Sequence, residues 1–464
     1  MNNLDNILYK INQIELNTDL TNKSVLGENI WPIIRLSLVS DLREKIFDSS
    51  KKKKVFSNSL VMLSSLFHIF RIFNTKKIII FTHGVDSSAI YKLKNKVIHK
   101  QWSPLIDKFG SKHFLTIQLG LVSSIQNQFK NTFNINLLYL IFSFINYPLK
   151  LRRDRKINKE LAIILENINE VHNSQSLIND VNKFFNQRSF FRVLFKVMKP
   201  RALFLKGFGD INSFSIISAA NNLNIDTIDY QHGQQGENNL FYSNWLNLPV
   251  KGYKMLPKYF WLWEETFIDK FKKWTQNQDY HEAFVGGNLW IEFIKDKINF
   301  EGHKLFSTDK KHALVCLQRT YLPKVIEQAM NKSEGIIWHF KLHPRENRNV
   351  DLLLEAFREK KVPSDKFELE VSNNKLFEEL IGSVDVVISE WSTVCYESIL
   401  YGKKGIVIHE NGKTAFKKHI NKKNIFYTEN ALELIEYILR DDSLKYNFIK
   451  KIDVRKINQI LKLK

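Results

Sequence analysis

The sequence predicts an α/β protein of two domains, each built on a parallel sheet, with a helical extension in front. Three observations carry this. The chain has 464 residues, more than one hydrophobic core ordinarily serves. Short β-branched and apolar runs recur, each leaving into a turn and then a segment with apolar spacing of three and four, so strands hand over to helices. Around residues 275–310 that series stops and restarts, which marks a seam.

Residues 1–75 read as a helical extension, from "ILYKINQIEL" and "IWPIIRLSLVSDLREKIF". The first α/β domain, 76–280, opens on "KKIIIFTHG", a buried strand running into a glycine turn. "VDSSAIYKLK" is predicted as the following helix, with Asp86 and Ser87 as cap candidates. The strands "RALFLKGFGD" and "IDTIDYQHG" and the run "KYFWLWEE" follow, and the aromatics at 259–263 read as core. The second domain, 281–445, runs through "EAFVGGN", "KKHALVCLQRT", "EGIIWHFKLHP", "KFELEV", "VDVVISEWST" and "KKGIVIHEN" with helices between. A helical tail, 446–464, ends the chain. The two Rossmann-like halves are expected to face each other across a cleft at the carboxyl ends of their strands, the edge where open α/β sheets bind ligands.

Composition is that of a globular protein, 44% hydrophobic and 25% charged. The net charge of +21 suits nucleic acid, an anionic membrane or an anionic substrate and does not choose among them. A nucleic-acid face would want aromatics interleaved with its basic residues, and here the basic runs lie apart from the histidine motifs, so no nucleic-acid partner is expected. Cys316 and Cys395 are far apart in sequence, which argues against a disulfide framework or zinc site and points to a reducing cytoplasm. Neither a G-x-x-x-x-G-K-[ST] loop nor a G-x-G-x-x-G turn is present, which excludes a P-loop NTPase and a standard NAD enzyme. No secretory signal is read at the start.

The longest apolar stretches, 59–70 and 137–145, are well short of the ~20 residues a spanning helix needs. Each has a basic neighbour, "KKKK" at 51–54 and "KLRRDRK" at 150–156. A buried helix with a solvated basic end is the favoured reading of each, and a helix lying on an anionic membrane surface is the alternative.

The chemistry gathers at strand ends. After the strand ending at Leu342 come His343 and Pro344. Pro344 suits a first helical turn, so His343 is expected at a helix N-terminus, where free amides and imidazole would hold a phosphate. Lys341 and Arg345 flank this site and could neutralise it without metal; no metal site and no cofactor are expected. Another strand ends at Ser389, and Ser392 and Thr393 then fall where a helix is capped. Glu397, one turn in, could accept hydrogen bonds from ribose hydroxyls. Gln318 and Arg319 could touch the base or phosphates, and Gly286, Gly287 and Asn288 could form a turn that lets the donor approach closely.

"YQHG", "KLHP" and "SEWST…E" together resemble the bacterial GT-B transferases that build capsules, lipopolysaccharide and teichoic acids from cytidine-activated donors. Sialyltransferases, Kdo transferases and CDP-glycerol glycerophosphotransferases are among them. The resemblance spans about residues 200–410. It implies a glycosyltransferase in which His343, Pro344, Ser392 and Thr393 bind the donor phosphate. The donor is expected to be a nucleotide sugar, a CMP-sugar by preference, and the acceptor a glycan or lipid-linked glycan. Such an enzyme would work in the cytoplasm, at the inner face of the membrane. A CDP-glycerol-type polyol-phosphate transferase, a UDP-sugar transferase or epimerase, and a basic nucleic-acid-binding protein are the alternatives. Many such sialyltransferases carry an acidic pair before glycine, where this chain has Gln231 and His232 before Gly233, which favours the histidine-bearing relatives. His232 is then the candidate base for the acceptor hydroxyl, because imidazole titrates near neutrality. Glu237 and Asp229 are the alternatives.

Overall fold

A computed structural model of the chain describes residues 3–44, 73, 77–83, 89–93, 96–120, 132–166, 174–233, 241–242, 245–295, 305–306, 309–343, 349–440 and 454–462. They fall into two compact units, Met1–Gly287 with Ile452–Lys464, and Asn288–Lys451.

The first unit holds a small hairpin, β1 (Ser24–Val25) and β2 (Glu28–Asn29), and a second one, β4 (Ile90–Leu93) and β5 (Lys96–His99). Its main sheet comprises β3 (Ile78–His83), β6 (Phe114–Leu119), β7 (Thr132–Asn134), β8 (Ala202–Leu205), β9 (Asp226–Tyr230), β10 (Tyr259–Leu262) and β11 (Glu282–Val285). The spatial order is β11-β10-β9-β8-β3-β6-β7, and every pairing is parallel. Sheets of this kind are covered on both faces, which is why their strands read as continuous apolar runs. Helix Ile211–Asn221 is buried along its whole length. It is tied to helix Ser174–Met198 by Gln187 Nε2 donating to Asn212 Oδ1 at 2.7 Å.

Helices Asn3–Asn17 and Trp31–Glu44 are built into this unit through one buried carboxylate. Glu15 pairs with the Arg35 guanidinium, accepts from Trp31 Nε1 at 2.9 Å, and accepts from Leu246 N at 2.6 Å. A buried charge so fully satisfied specifies where the helix docks. Helix Val454–Leu461 returns to the same unit, where Lys462 reaches Asp226 at 3.2 Å.

In the second unit the sheet is β12 (Lys311–Leu317), β13 (Ile336–Leu342), β14 (Phe367–Glu368), β15 (Val386–Ser389), β16 (Lys404–Val407) and β17 (Ile425–Tyr427). Its order is β14-β13-β12-β15-β16-β17, again all parallel. The two halves are therefore α/β units with parallel Rossmann-like sheets. Cys316 and Cys395 are both buried and free.

The structure corrects three local expectations. Residues 90–93 form no helix; Ile90 faces His99 and Leu93 faces Lys96 in an antiparallel hairpin. Its residues suit a pleated surface better than a helix, and Asp86 and Ser87 lie outside the described residues. The strand expected at "KFELEV" stops at Glu368, because that carboxylate accepts from Val371 N at 2.5 Å and Ser372 N at 3.0 Å and turns the chain into helix Glu370–Asn374. The stretch 137–145 is helical with no buried residue, and Leu140, Ile141, Phe144 and Ile145 are exposed. The stretch 59–70 lies outside the described residues.

Two buried histidines make the first unit acid-sensitive. His99 Nδ1 accepts from the amides of Gln101 and Trp102, and burial lowers its pKa to about 3. Burial lowers that of His281 to about 4; its Nε2 accepts from Tyr253 N at 3.0 Å and its Nδ1 donates to Pro257 O. The unfolded chain takes up these protons near pH 6.5 while the folded unit refuses them. Stability is thus fully present above about pH 6.5 and falls from there towards pH 4, by about 1.4 kcal/mol per pH unit and ring. Urea midpoints should drop clearly between pH 7 and pH 5, and equal midpoints would contradict the two assignments.

Candidate active site

In each sheet the chain lays its first three strands in one direction and then reverses. In the second unit the reversal falls between β12 and β15. Helices leave to opposite faces there and open a crevice at the carboxyl ends of the two strands, where such sheets bind ligands. Gln318 and Arg319 follow β12, and Ser389 to Thr393 end and follow β15.

Ser389 Oγ is buried and donates to Cys316 O at 2.8 Å, which clamps β15 to β12. Its neighbour Glu390 is only 5% exposed. One Glu390 oxygen accepts from the Tyr321 hydroxyl, and the other has no partner among the described residues. Burial and that carboxylate together raise the Tyr321 pKa. Gln318 Oε1 at the end of β12 is also buried without a partner among the described residues. Arg319 is exposed beside them.

Ser392 Oγ accepts from Val394 N at 3.4 Å, and Thr393 Oγ1 donates to Glu397 Oε1 at 3.5 Å. Helix Val394–Leu400 has seven residues, so its dipole is weak; Cys395 N donates to Ser392 O at 3.3 Å and Glu397 N to Thr393 O at 2.8 Å, so the hydroxyls carry the polarity of this turn. Glu397 is buried and reaches back under β12. There burial first, with the Glu397 charge adding and Lys341 opposing, pushes the Cys316 thiol up to about 12.

β13 delivers His343 to the same edge. His343 N donates to Leu317 O at 3.0 Å and prolongs the ladder, so the half-buried histidine does stand beside the end of β12. The next described helix, however, begins at Val350 with Asn349 as its cap residue. Pro344 and Arg345, on which the expected helix start rests, lie outside the described residues. The Lys341 amine is already committed to the carbonyls of Asn373 and Lys375 at the end of helix Glu370–Asn374, and burial lowers its pKa. It braces β13 rather than pointing a free charge at a ligand.

In the first unit the reversal lies between β3 and β8, and β9 adjoins β8. Gln231, next after β9, is a structural knot. Its amide donates to Trp261 O, its Nε2 to Gly233 O, and its Oε1 accepts from Trp263 N at 2.7 Å. With Gln231 turned inward, His232 projects to the surface. It lies against Gly207, whose φ of +80° is open to glycine at little strain and where an added Cβ would sit 3.4 Å from His232 Cε1. Asp229 is buried and accepts from Gly207 N at 2.8 Å, so it positions this loop against the imidazole.

Two aspects of His232 pull apart: its side chain is open to water, yet the protein packed around the ring, with the Lys206 charge adding repulsion, depresses its pKa. Water at the ring limits the depression without reversing it, so the imidazole is neutral at pH 7. Glu237 lies outside the described residues.

Gly286 makes a close approach, but to Trp261, whose ring lies 2.1 Å from where a Cβ would sit and whose Nε1 donates to Gly287 O at 2.9 Å. Asn288 opens the second unit and accepts from Trp290 N at 3.2 Å. Gly286 and Gly287 thus pack within the first unit, and Asn288 orders a turn within the second.

Sequence reasoning missed Glu390, Tyr321 and the pair Trp391 and His409, whose rings lie 4.8 Å apart beyond β15 and β16. It also missed the Lys206–Asp210 loop, where Asp210 caps helix Ile211–Asn221 by accepting from Asn212 N and Ser213 N. A charged residue directly behind the strand "VVIS" was the available signal for Glu390.

No family model and no curated protein matches the chain. Solved structures of similar outline exist. The UDP-GlcNAc 2-epimerase of Neisseria meningitidis bound to UDP-GlcNAc is 12% identical, with 83% of this chain and 93% of that one covered and a TM-score of 0.47. A putative UDP-N-acetylglucosamine 2-epimerase from Listeria monocytogenes is 11% identical over 78% and 86%, with a TM-score of 0.48. A histidine-to-alanine form of the wall teichoic acid polymerase TagF is 10% identical over 93% and 91%, with a TM-score of 0.41. At such identities the chemistry rests on this chain's own residues.

Among the described residues no three His, Cys, Asp or Glu side chains gather as a metal set, and no described helix is long and apolar enough to cross a membrane.

Proposed function

We propose that the chain is a GT-B glycosyltransferase, with a nucleotide sugar as donor and a surface polysaccharide or lipid-linked glycan as acceptor. A CMP-sugar is the donor we favour, and the cytoplasmic face of the membrane the place of work. The observation that carries the reading is the set of groups at the β12/β15 crevice. The Ser392 and Thr393 hydroxyls suit phosphate oxygens, Glu397 and Glu390 suit sugar hydroxyls, and Arg319, exposed behind β12, has the charge that a leaving phosphate needs.

In a direct displacement the acceptor oxygen bonds to the anomeric carbon. The bond from that carbon to the phosphate oxygen breaks with its electron pair leaving on the nucleotide, and the hydroxyl proton passes to neutral His232. His343 adds an imidazole beside the end of β12, and Arg319 makes a metal-free route reasonable, so turnover should persist in EDTA.

The test is thermal unfolding with CMP, CDP, UMP, UDP and GDP. A ligand at a hundred times its Kd adds about 2.7 kcal/mol to the native state, a readily visible shift. A shift by cytidine nucleotides above the others is expected, and no shift by any of the five would overturn the reading. Ser392→Ala combined with Thr393→Ala should weaken nucleotide binding by about ten- to a hundredfold, the effect of losing hydrogen bonds to a charged group. Unchanged affinity with a lower Tm would reduce both residues to ordering the turn.

A further inference from the structure

Helix Asn136–Ile145 is apolar on two sides, and among the described residues only one of them is packed. Tyr139 and Phe142, one turn apart, pack edge-on against Phe190 of helix Ser174–Met198 at 5.2 and 5.5 Å. The opposite stripe, Leu140 and Phe144 with Ile141 and Ile145, stands in water; Phe144 is 82% exposed and Ile145 68%. The chain turns at Asn146 into helix Tyr147–Leu165, and Tyr147 and Leu149 in its first turn extend the same exposed apolar surface. Scattered exposed apolar residues are ordinary, whereas six large ones between Leu140 and Leu149 mark an interaction surface.

What adjoins the stripe says which partner fits. Helix Asn136–Ile145 carries no charge, and helix Tyr147–Leu165 carries six basic and two acidic residues. Both acidic residues are engaged within the helix, Asp154 with Lys150 at 3.8 Å and Glu160 with Lys156 at 3.7 Å. Arg153 is held by Ser189 and Asn186. Arg152, Arg155 and Lys159 form no ion pair among the described residues. An apolar ridge followed at once by uncompensated cations matches the interface of an anionic bilayer, where side chains enter the acyl boundary and lysines and arginines meet phosphates.

The helix is also firmly placed. The Asn136 side chain accepts from Gly120 N at 2.8 Å and donates to Gly120 O at 2.7 Å, which pins its start to the turn after β6. That is the carboxyl edge of the first unit's sheet, the edge that also carries His232.

We propose that the stripe Leu140–Leu149, with Arg152, Arg155 and Lys159 behind it, docks this unit on an anionic phospholipid surface. The assignment does not depend on the nucleotide reading, and its test needs no turnover. The full chain is floated with vesicles of phosphatidylcholine alone and of phosphatidylcholine with about one-third phosphatidylglycerol. Binding should be about tenfold or more stronger to the anionic vesicles and should fade as salt shortens the Debye length from about 10 Å to about 3 Å. Phe144→Ser with Ile145→Ser should weaken it about tenfold at unchanged Tm, because both side chains already stand in water. Arg152→Glu with Arg155→Glu should remove the preference for anionic vesicles. Absence of flotation at low salt, or flotation indifferent to the Phe144 and Ile145 pair, overturns the proposal. So does a lipid-free dimer that the same pair dissociates, which would give the stripe to a second copy of the chain.

Discussion

His232→Ala is expected to lower kcat by ~10²–10⁴-fold, the range for loss of a general base, and to leave nucleotide affinity within about twofold. The two effects separate because the groups assigned to the nucleotide belong to the second unit, whereas His232 belongs to the first. The pH profile supplies a second readout. Protein around the ring and the Lys206 charge depress the His232 pKa, so the wild-type rate should climb with pH along a limb below the usual imidazole value and be level through neutrality. Acidification through that limb protonates the base and removes activity, and the alanine variant should lack the limb altogether. Weak nucleotide binding in the variant with a normal rate at saturation would move His232 to the phosphate. Glu237 would then be the next base to test, since Asp229 already holds Gly207 N.

Gly405→Ala is expected to be among the most damaging single-methyl changes in the chain. Gly405 lies in β16 between β15 and β17, and a Cβ there would sit 2.3 Å from the backbone oxygen of Cys395. Backbone cannot swing aside as a side chain can, so helix Val394–Leu400 would have to lift off the sheet. Overpacking of this kind costs about 1–3 kcal/mol, and more where the neighbour is rigid. The same helix follows Ser392 and Thr393 and carries Glu397, so nucleotide affinity should fall together with Tm. Gly402, with a φ of +77° and nothing within 4 Å of its added Cβ, is the contrast. Alanine there meets only the strain of a left-handed backbone, about 1 kcal/mol, and should leave affinity untouched. A Gly405→Ala protein with wild-type Tm would show that the helix is not seated on β16 as described.

Much of this was written in local sequence. Runs such as "ALVCL" and "DVVIS" are strands whatever surrounds them, because a buried parallel strand is apolar on both faces, and the turn residues behind them mark where each one stops. His232, Ser389, Ser392 and Gln318 could be placed at strand ends on that basis alone. Strand order could not, since it depends on which distant runs pair, and order decides that Gln318 and Glu390 share a crevice while β14 and β17 lie at the rims. Nor could the sequence tell a free cation from a committed one. Lys341 looks like a phosphate ligand until the carbonyls of Asn373 and Lys375 are seen to occupy its amine.

The run at 137–145 shows the boundary most plainly. Its composition determined a helix and an appetite for burial, both intrinsic to the residues. Whether that appetite is met inside the fold is settled by neighbours far along the chain, and Phe190 covers one stripe only. Periodicity is local and can be read from the sequence; burial is a relation between distant segments, and only the tertiary structure decides it.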